Sequence, residues 1–251
     1  MSEKVLLKLG GSVITHKGGA CSPAVEQLQE IAGVIREHRE GLILVHGAGS
    51  CGHPEAMAYR LKDGIHGANL AGVYATHRAV RSLNDIVVSI LQENGVEAVG
   101  VHPLCAGTAD RARIVTFDIH PLEGMLDLGI IPVLHGDVVM DRTQGACIVS
   151  GDQLLTYLAS AMSIKRVGLA TDVPGVLEGS RVVRRLDPTT ARRLSIGTSK
   201  HTDVTGGMQG KVQELMILAR HGIDAHIFHI SRLADFLEHK DHGGTIVCGE
   251  V

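Results

Sequence analysis

Short apolar runs alternate along this chain with longer stretches of helical periodicity. The apolar runs are KVLLKL (4–9), GLILVH (41–46), AVGVH (98–102), IPVLHG (131–136), RVGLAT (166–171) and DAHIFHI (224–230). The helix-like stretches cover residues 23–40, 68–95, 152–163 and 210–222. Apolar strands joined by helices are typical of a parallel sheet that is covered on both faces. We therefore predict an α/β layer fold with one continuous, mostly parallel sheet.

Length and charge narrow the class of protein. The 251 residues carry a net charge of −3, which provides no general attraction to nucleic acid or to an anionic membrane. We expect a single domain (1–251), although the length also allows two small ones, and the polar stretch 178–203 has room for a short hairpin. No apolar run is long enough for a transmembrane helix or a signal peptide, so we expect a cytoplasmic protein.

Cysteine and histidine patterns give no metal or disulfide signature. The five cysteines are scattered and never spaced C-x-x-C, which argues against a disulfide framework or a zinc knuckle and suits a reducing compartment. The pairs His226/His229 and His239/His242 could share a helix face, but no acidic or cysteine partner completes a site at a known spacing. We interpret them as ordinary surface or core histidines and predict no protein metal site.

Glycine or acidic residues follow most of the apolar runs. Such punctuation ends strands at KLGGS (8–12), HGAGSCGH (46–53), HGD (135–137) and TDVPG (171–175), and opens helices at ISGDQ (148–152) and DVTGGMQGK (203–211). In open parallel sheets, ligands bind beyond the carboxyl ends of the strands. Glycine lets backbone amides approach an anion. Each loop alone could be a plain turn, but the set indicates a polyphosphate site.

Neither common nucleotide motif accounts for these glycines. Residues 47–52 spell G-x-G-x-x-G, but the dinucleotide fingerprint follows the first strand and requires an acid about 20 positions on, at the end of the second. Here the loop follows the second run, and Asp63 ends no strand. GGMQGKV fails as a Walker A loop because Gly206 is one place too close and Val212 replaces the hydroxyl.

Three lysines lie beside glycine loops, where phosphoryl transfer requires cations. Lys8 precedes Gly10, Lys17 follows in the same loop, and Lys211 begins a helix. The alternative, a solvated surface lysine, is a poor account of Lys8 because its neighbours are strand leucines. Asp152, at a helix start, could hold lysines in position or bind a magnesium complex.

The ordered motifs KLGGSVIT, HGAGSCGH, HGDVV, SGDQL, TDVPGV and DVTGGMQGK resemble the amino acid kinase superfamily. The S-x-G-H ending of the second motif is similar to the isopentenyl phosphate kinase family within it. The resemblance, from about Lys4 to Thr245, implies an open αβα sandwich with an acceptor-binding half (about 1–148) and a nucleotide-binding half (about 149–251). It also implies ATP and Mg²⁺ as cofactors, isopentenyl phosphate as the substrate, isoprenoid precursor synthesis and a homodimer. Cys51 and Pro174 depart from the family pattern, which commonly has Phe and an acidic residue there.

The resemblance also implies roles for individual residues. The implied catalytic residues are His53, Lys8, Lys17, Lys211 and Asp152. The implied nucleotide-binding residues are Lys8, Gly10, Gly11, Ser12, Gly49, Thr171, Asp172, Gly175, Gly206, Gly207 and Lys211. The implied acceptor-binding residues are Gly47, Ala48, Gly49, Gly52, His53, Ser150 and Gly151.

The role of His53 follows from the charge of a phosphomonoester acceptor. A hydrogen bond from this histidine would offset the repulsion between two phosphoryl groups and position the attacking oxygen. The alternative is a capping or core histidine. The organic tail is expected against residues 54–95, where small side chains suit an isoprenyl chain or, equally, close helix packing: Ala56, Ala58, Ala71, Gly72 and Ala75.

Other functions stay open from sequence. On the same fold, the acceptor could be another small phosphate or phosphonate, as in a fosfomycin-type kinase. A non-catalytic nucleotide or metabolite sensor is a second alternative. A dinucleotide-dependent oxidoreductase is a third, disfavoured because the ribose-binding acid is missing.

Overall fold

The computed structural model describes residues 3–16, 21–67, 69–194 and 207–249. Its strands are β1 (Val5–Leu9), β2 (Leu42–His46), β3 (Ala98–Gly100), β4 (Gly107–Asp110), β5 (Arg113–Phe117), β6 (Ile131–His135), β7 (Asp137–Asp141), β8 (Gly145–Val149), β9 (Arg166–Thr171), β10 (Leu177–Glu178), β11 (Arg181–Val182), β12 (Arg185–Leu186), β13 (Ala225–His229) and β14 (Thr245–Val247). Its helices are α1 (Gly11–Ile14), α2 (Val25–Glu37), α3 (Gly49–Ala58), α4 (Ala71–Glu93), α5 (Pro103–Ala106), α6 (His120–Asp127), α7 (Gly151–Ala161), α8 (Pro188–Arg193), α9 (Gly207–Arg220) and α10 (Leu233–Leu237). Short 3₁₀ turns cover Leu61–Asp63 and Ile230–Arg232.

The main sheet confirms the predicted α/β class. Its strand order is β12-β14-β13-β9-β1-β2-β6-β3, and neighbouring strands run parallel except β13 and β14. Each of the six apolar runs contributes a strand to it. The four long helix-like stretches form α2, α4, α7 and α9. The result is a central sheet with helices on both faces.

The prediction of one continuous sheet is wrong. A second sheet has the order β5-β4-β7-β8. The strands β10 and β11 form a separate antiparallel hairpin, which begins at Leu177 and otherwise lies in the polar stretch 178–203. The strands of the second sheet form the antiparallel hairpins β4–β5 and β7–β8. β5 leaves most of its side chains at least partly exposed and buries only Phe117. β7 and β8 are mostly buried, but their apolar runs, Val138–Met140 and Ala146–Val149, are too short to be assigned as strands from periodicity.

Alternation along β1 assigns its side chains to two separate cores. Leu6 belongs to the core beneath α7 and α9, whereas Leu7 and Leu9 belong to the core beneath α2 and α4. Successive side chains of a strand point to opposite faces. Lys8 therefore points to the same face as Leu6, towards α7. In this way a two-residue period places a cation beneath the first turn of a helix.

The cysteine prediction is also wrong, because Cys21 and Cys51 form a disulfide. An isolated bridge between Thr15 and Pro23 folds this part of the chain back towards α3, where the amide of Ser50 donates to the Thr15 hydroxyl at 3.0 Å. The pairing is therefore created by a tertiary contact between segments 30 residues apart, which spacing does not encode. Cys105, Cys147 and Cys248 are free thiols.

The predicted histidine pairs do not share helix faces. His226 and His229 lie on β13, and His239 and His242 follow α10; the ring nitrogens of His226 and His242 are 2.9 Å apart. Within the described ranges, no group of three or more His, Cys, Asp or Glu residues could hold a metal ion. No helix in the same ranges has the length and hydropathy to cross a bilayer.

Candidate active site

A buried ion pair lies at the carboxyl end of the central strand. Lys8 Nζ donates to Asp152 Oδ1 at 2.6 Å, and each side chain is 5% exposed. Asp152 is in the first turn of α7, where the Ser150 hydroxyl caps the helix by accepting from the amide of Gln153. The Asp152 carboxylate is part of the N-terminus of α7, so the ammonium group of Lys8 and the partial positive charge of this helix end lie close together.

The loop after β1 and the loop after β2 approach each other more closely than side chains would permit. A Cβ on Gly11 would lie 2.7 Å from both Cα and N of Gly49, and one on Gly47 would lie 2.8 Å from the Gly11 nitrogen. Gly49 also has φ +54, a conformation that L side chains rarely adopt. The glycines are therefore required by contact between loops. They leave the backbone of both loops accessible to a ligand.

One cavity of about 980 Å³ joins these features. Most of the sequence-predicted site residues line it: Lys8, Gly10, Gly11, Ser12, Gly47, Ala48, Gly49, Gly52, His53, Ser150, Gly151, Asp152, Thr171, Asp172, Gly207 and Lys211. Gly175 is outside this lining, because it packs against Thr245. Lys17 and Gly206 lie outside the described residues.

The wall contributed by the C-terminal half contains polar contacts that reach across the sheet. Ser12 Oγ donates to Asp172 Oδ1 at 2.8 Å, joining the loops after β1 and β9. The Thr171 hydroxyl donates to the carbonyls of Val173 and Phe228, so it stabilises the β9 loop itself. Lys211 Nζ lies 3.4 Å from the carbonyl of Gly207, at the start of the described part of α9. Lys211 thus faces the same cavity as Lys8.

His53 lies in the first half of a helix, not in a loop as the glycine pattern suggested. The stretch GSCGHPEAMA forms α3, and its half-buried His53 lines the cavity. Cys51, two residues earlier, is fully buried and ties α3 to Cys21. The position of the histidine is therefore stabilised by helix geometry and by a covalent bond to a neighbouring segment.

The expected tail-binding wall is only partly where sequence placed it. Ala56 and Ala58 line the cavity together with Met57, Val80 and Ile148. Ala71, Gly72 and Ala75 are not among the lining residues. A Cβ on Gly72 would lie 2.4 Å from Tyr59 Cβ, so helix packing explains this glycine.

Several buried polar residues beside the cavity were not predicted. His46 and His135 are both 0% exposed and end β2 and β6 directly before glycines. Burial lowers the pKa of His46 and lowers that of His135 well below its ordinary value. A sequence signal existed, since both strands end in the dipeptide His-Gly.

Asp137 lines the cavity and was not among the predicted site residues. It accepts from His77 Nδ1 at 2.9 Å and from the amides of Val138 and Leu104. The hydrogen bond with this carboxylate raises the pKa of His77, whereas burial raises the pKa of Asp137. The carboxylate thereby connects α4, α5 and β7 behind the cavity.

The donor set fits a polyphosphate with its magnesium ion. Glycine loops that a Cβ would fill, two lysines and the capped end of α7 offer positive charge and amide donors. No protein metal cage is present in the described ranges. Mg²⁺ generally keeps its waters and binds through phosphates with one or two carboxylates, so this donor set suits a nucleotide-borne ion.

Comparisons with known proteins agree with the geometry. The model of the amino acid kinase family matches residues 3–229. An isopentenyl phosphate kinase of Haloferax volcanii is 39% identical over 98% of this chain and 99% of its own, and one of Methanothermobacter thermautotrophicus is 36% identical over 90% of each. A crystal structure of an isopentenyl phosphate kinase, 31% identical, superposes with a TM-score of 0.85 over 97% of this chain and 100% of its own. The chain therefore belongs to the amino acid kinase family of phosphotransferases, and within it to the isopentenyl phosphate kinases.

Proposed function

We propose that this protein transfers the γ-phosphoryl group of ATP to the phosphate of isopentenyl phosphate, in isoprenoid precursor synthesis. The observation that carries the proposal is the single cavity in which His53, the Lys8–Asp152 pair and Lys211 surround glycine loops. Relatives with that name, similar over nearly the whole chain, support the same substrate. The kinase relatives do not favour the oxidoreductase alternative.

In this proposal the acceptor and the nucleotide are bound by different sets of residues, and each set includes residues from both halves of the chain. Residues 47–53, which include the first half of α3, and the N-terminus of α7 bind the acceptor phosphate, with His53 as a hydrogen-bond donor. The loops after β1 and β9 and the start of α9 bind the nucleotide. Lys17 keeps the catalytic role that the family resemblance implies, and Gly206 and Gly175 keep the implied nucleotide-binding roles.

The chemistry needs little covalent assistance. An oxygen of the acceptor phosphate, already ionised at neutral pH, attacks the γ-phosphorus while the bond to the β,γ-bridging oxygen breaks and ADP leaves. Lys8 and Lys211 stabilise the charge on the transferring oxygens, and Asp152 orients Lys8. Mg²⁺ supplies further neutralisation of the nucleotide phosphates when bound.

ADP release over an acceptor panel tests the proposal. The panel contains isopentenyl, dimethylallyl and geranyl monophosphates and fosfomycin. We expect the highest turnover with isopentenyl phosphate, and a loss of about 10²-fold in His53→Ala because the acceptor phosphate loses a charge-assisted donor. His120→Ala, at a side chain that is 89% exposed, is the matched control.

The other possible results of this assay have the following meanings. Turnover of fosfomycin alone indicates a phosphonate kinase. Nucleotide binding without turnover of any acceptor indicates a sensor. Wild-type turnover in His53→Ala refutes the role of this histidine. A steep fall at the geranyl compound shows that the cavity accepts only short tails.

We further propose that the chain forms a homodimer and functions in the cytoplasm, as the family resemblance implies. Sedimentation equilibrium measures the first property directly: a mass near 26.6 kDa at all concentrations contradicts a dimer.

A further inference from the structure

Two histidine–glycine steps lie side by side at the ends of neighbouring parallel strands. His46 of β2 pairs in register with His135 of β6, and their rings stack with centroids 5.6 Å apart. Alternation places both rings on the α4 face, the same face as Leu42 and Val133. Each ring bonds to the carbonyl of the glycine that follows it, at 2.9 Å for Gly47 and 3.1 Å for Gly136.

These contacts determine where the ring protons lie. A carbonyl oxygen only accepts, so Nδ1 carries a proton in both rings. Burial disfavours a cationic imidazole, which leaves Nε2 of each ring as an acceptor. Nε2 of His135 accepts from His102 Nδ1 at 2.9 Å.

The second nitrogen of His46 faces the side-chain amide of Asn84 at 2.9 Å. A half-turn of this amide brings its Nδ2 to the His46 ring as the donor. The half-turn also gives Asn84 Nδ2 a partner that it lacks in the other orientation. Both rings are then fully satisfied as neutral, Nδ1-protonated histidines.

The hydrogen bond to Gly47 controls the direction of the next amide. A trans peptide is planar, with its C=O and N–H antiparallel. Because the Gly47 carbonyl is held at the His46 ring, the amide N–H of Ala48 points away from that ring, and Ala48 lines the cavity. Gly136 is held in the same way against the first turn of α7, where its Cβ would lie 3.1 Å from the Gly151 nitrogen.

We propose that His46 and His135 are positioning residues, which hold the peptide planes of Gly47 and Gly136 so that the Ala48 amide and the start of α7 face the acceptor phosphate. The part of this inference that concerns the acceptor rests on the proposed function. Neither histidine contacts the reacting atoms. Both act through the backbone of the residue that follows them.

Paired amide substitutions test the role of each ring nitrogen. The amide nitrogen of Asn imitates Nδ1 and that of Gln imitates Nε2, so His46→Asn keeps the donor to Gly47 and His46→Gln loses it. We expect His46→Gln to raise the acceptor KM about tenfold or more with the ATP KM unchanged, and His46→Asn to stay within about threefold of wild type. The matched controls are His226→Asn and His226→Gln, at a half-buried histidine of β13, which should not differ in acceptor KM.

Equal acceptor KM values for His46→Asn and His46→Gln, both folded by circular dichroism, overturn the proposal. Nitrogen-15 spectra of the histidine rings in the wild-type protein provide a test that needs no variant to fold and no substrate. They should show His46 and His135 protonated at Nδ1 alone, and an Nε2-protonated or cationic ring overturns the network. If no phosphomonoester is turned over, the proposed function fails, and the ring spectra alone decide whether the network is as described.

Discussion

The buried pair of Lys8 and Asp152 offers a quantitative test of the site. Each side chain is 5% exposed, and Lys8 Nζ lies 2.6 Å from Asp152 Oδ1. Water therefore has little access to either charged group and cannot replace a lost partner. Removing one partner of such a pair costs about 3–5 kcal/mol of unfolding free energy, which for a chain of this size lowers Tm by about 6–20 °C. Lys8→Met and Asp152→Asn should each show a loss in this range.

A double-mutant cycle separates the interaction from unrelated effects. Because either single substitution already breaks the same ion pair, Lys8→Met/Asp152→Asn should lose about 2 kcal/mol less than the sum of the single losses. The chain has no Trp, so urea unfolding is followed by far-ultraviolet circular dichroism. The surface pair Arg81–Asp85, 3.7 Å apart and more than half exposed, provides the control, with expected losses below about 0.5 kcal/mol for Arg81→Met and Asp85→Asn. Additive losses at Lys8 and Asp152 would refute the reasoning.

Three further predictions concern covalent, steric and protonation effects. Reduction of the Cys21–Cys51 disulfide, which spans 30 residues, should lower the unfolding free energy by about 4 kcal/mol in urea titrations. The control variant Cys105→Ser should not lower it. An unchanged urea midpoint after reduction contradicts this prediction. Gly11→Ala should abolish ADP release because its Cβ would lie 2.7 Å from Gly49. Gly33→Ala, whose Cβ has no neighbour within 4 Å, should leave activity intact. An active Gly11→Ala enzyme disproves the close approach. The hydrogen bond with Asp137 raises the pKa of His77, so its stabilising charge is fully present below about pH 6.5 and is lost as pH rises through the raised value. Unfolding free energies across this range should therefore favour wild type over His77→Asn most at acidic pH, and a constant difference would exclude a charged His77.

Six of the eight strands of the main sheet were predictable because their side chains are mostly buried, whereas the short strands β12 and β14 were not predicted. Runs such as LILVH and RVGLAT have polar side chains only at their ends. The second sheet was not predictable in the same way, because β4 and β5 mix polar with apolar residues and the apolar runs of β7 and β8 are short. α3 was missed because its first residues are glycine-rich and it contains Pro54, which are poor local signals for a helix.

The candidate site was predictable to the extent that it depends on strand ends. Lys8 and the glycines after β1 and β2 had to meet, since the carboxyl ends of parallel strands share one edge of the sheet. Lys8 could be assigned from its leucine neighbours. Its partner could be suggested but not its distance, because Asp152 is 144 residues away.

By itself, the sequence determined the layer architecture, the edge of the sheet where the candidate site lies and the identity of most residues that line its cavity. These properties follow from hydrophobic periodicity and glycine placement, which act within a few residues of chain. Only the tertiary structure decided the Cys21–Cys51 disulfide, the contact between Gly11 and Gly49, and the hydrogen bonds that hold His46 and His135. Each of these depends on the packing of remote segments to within a few tenths of an ångström, and local propensity carries no information at that scale.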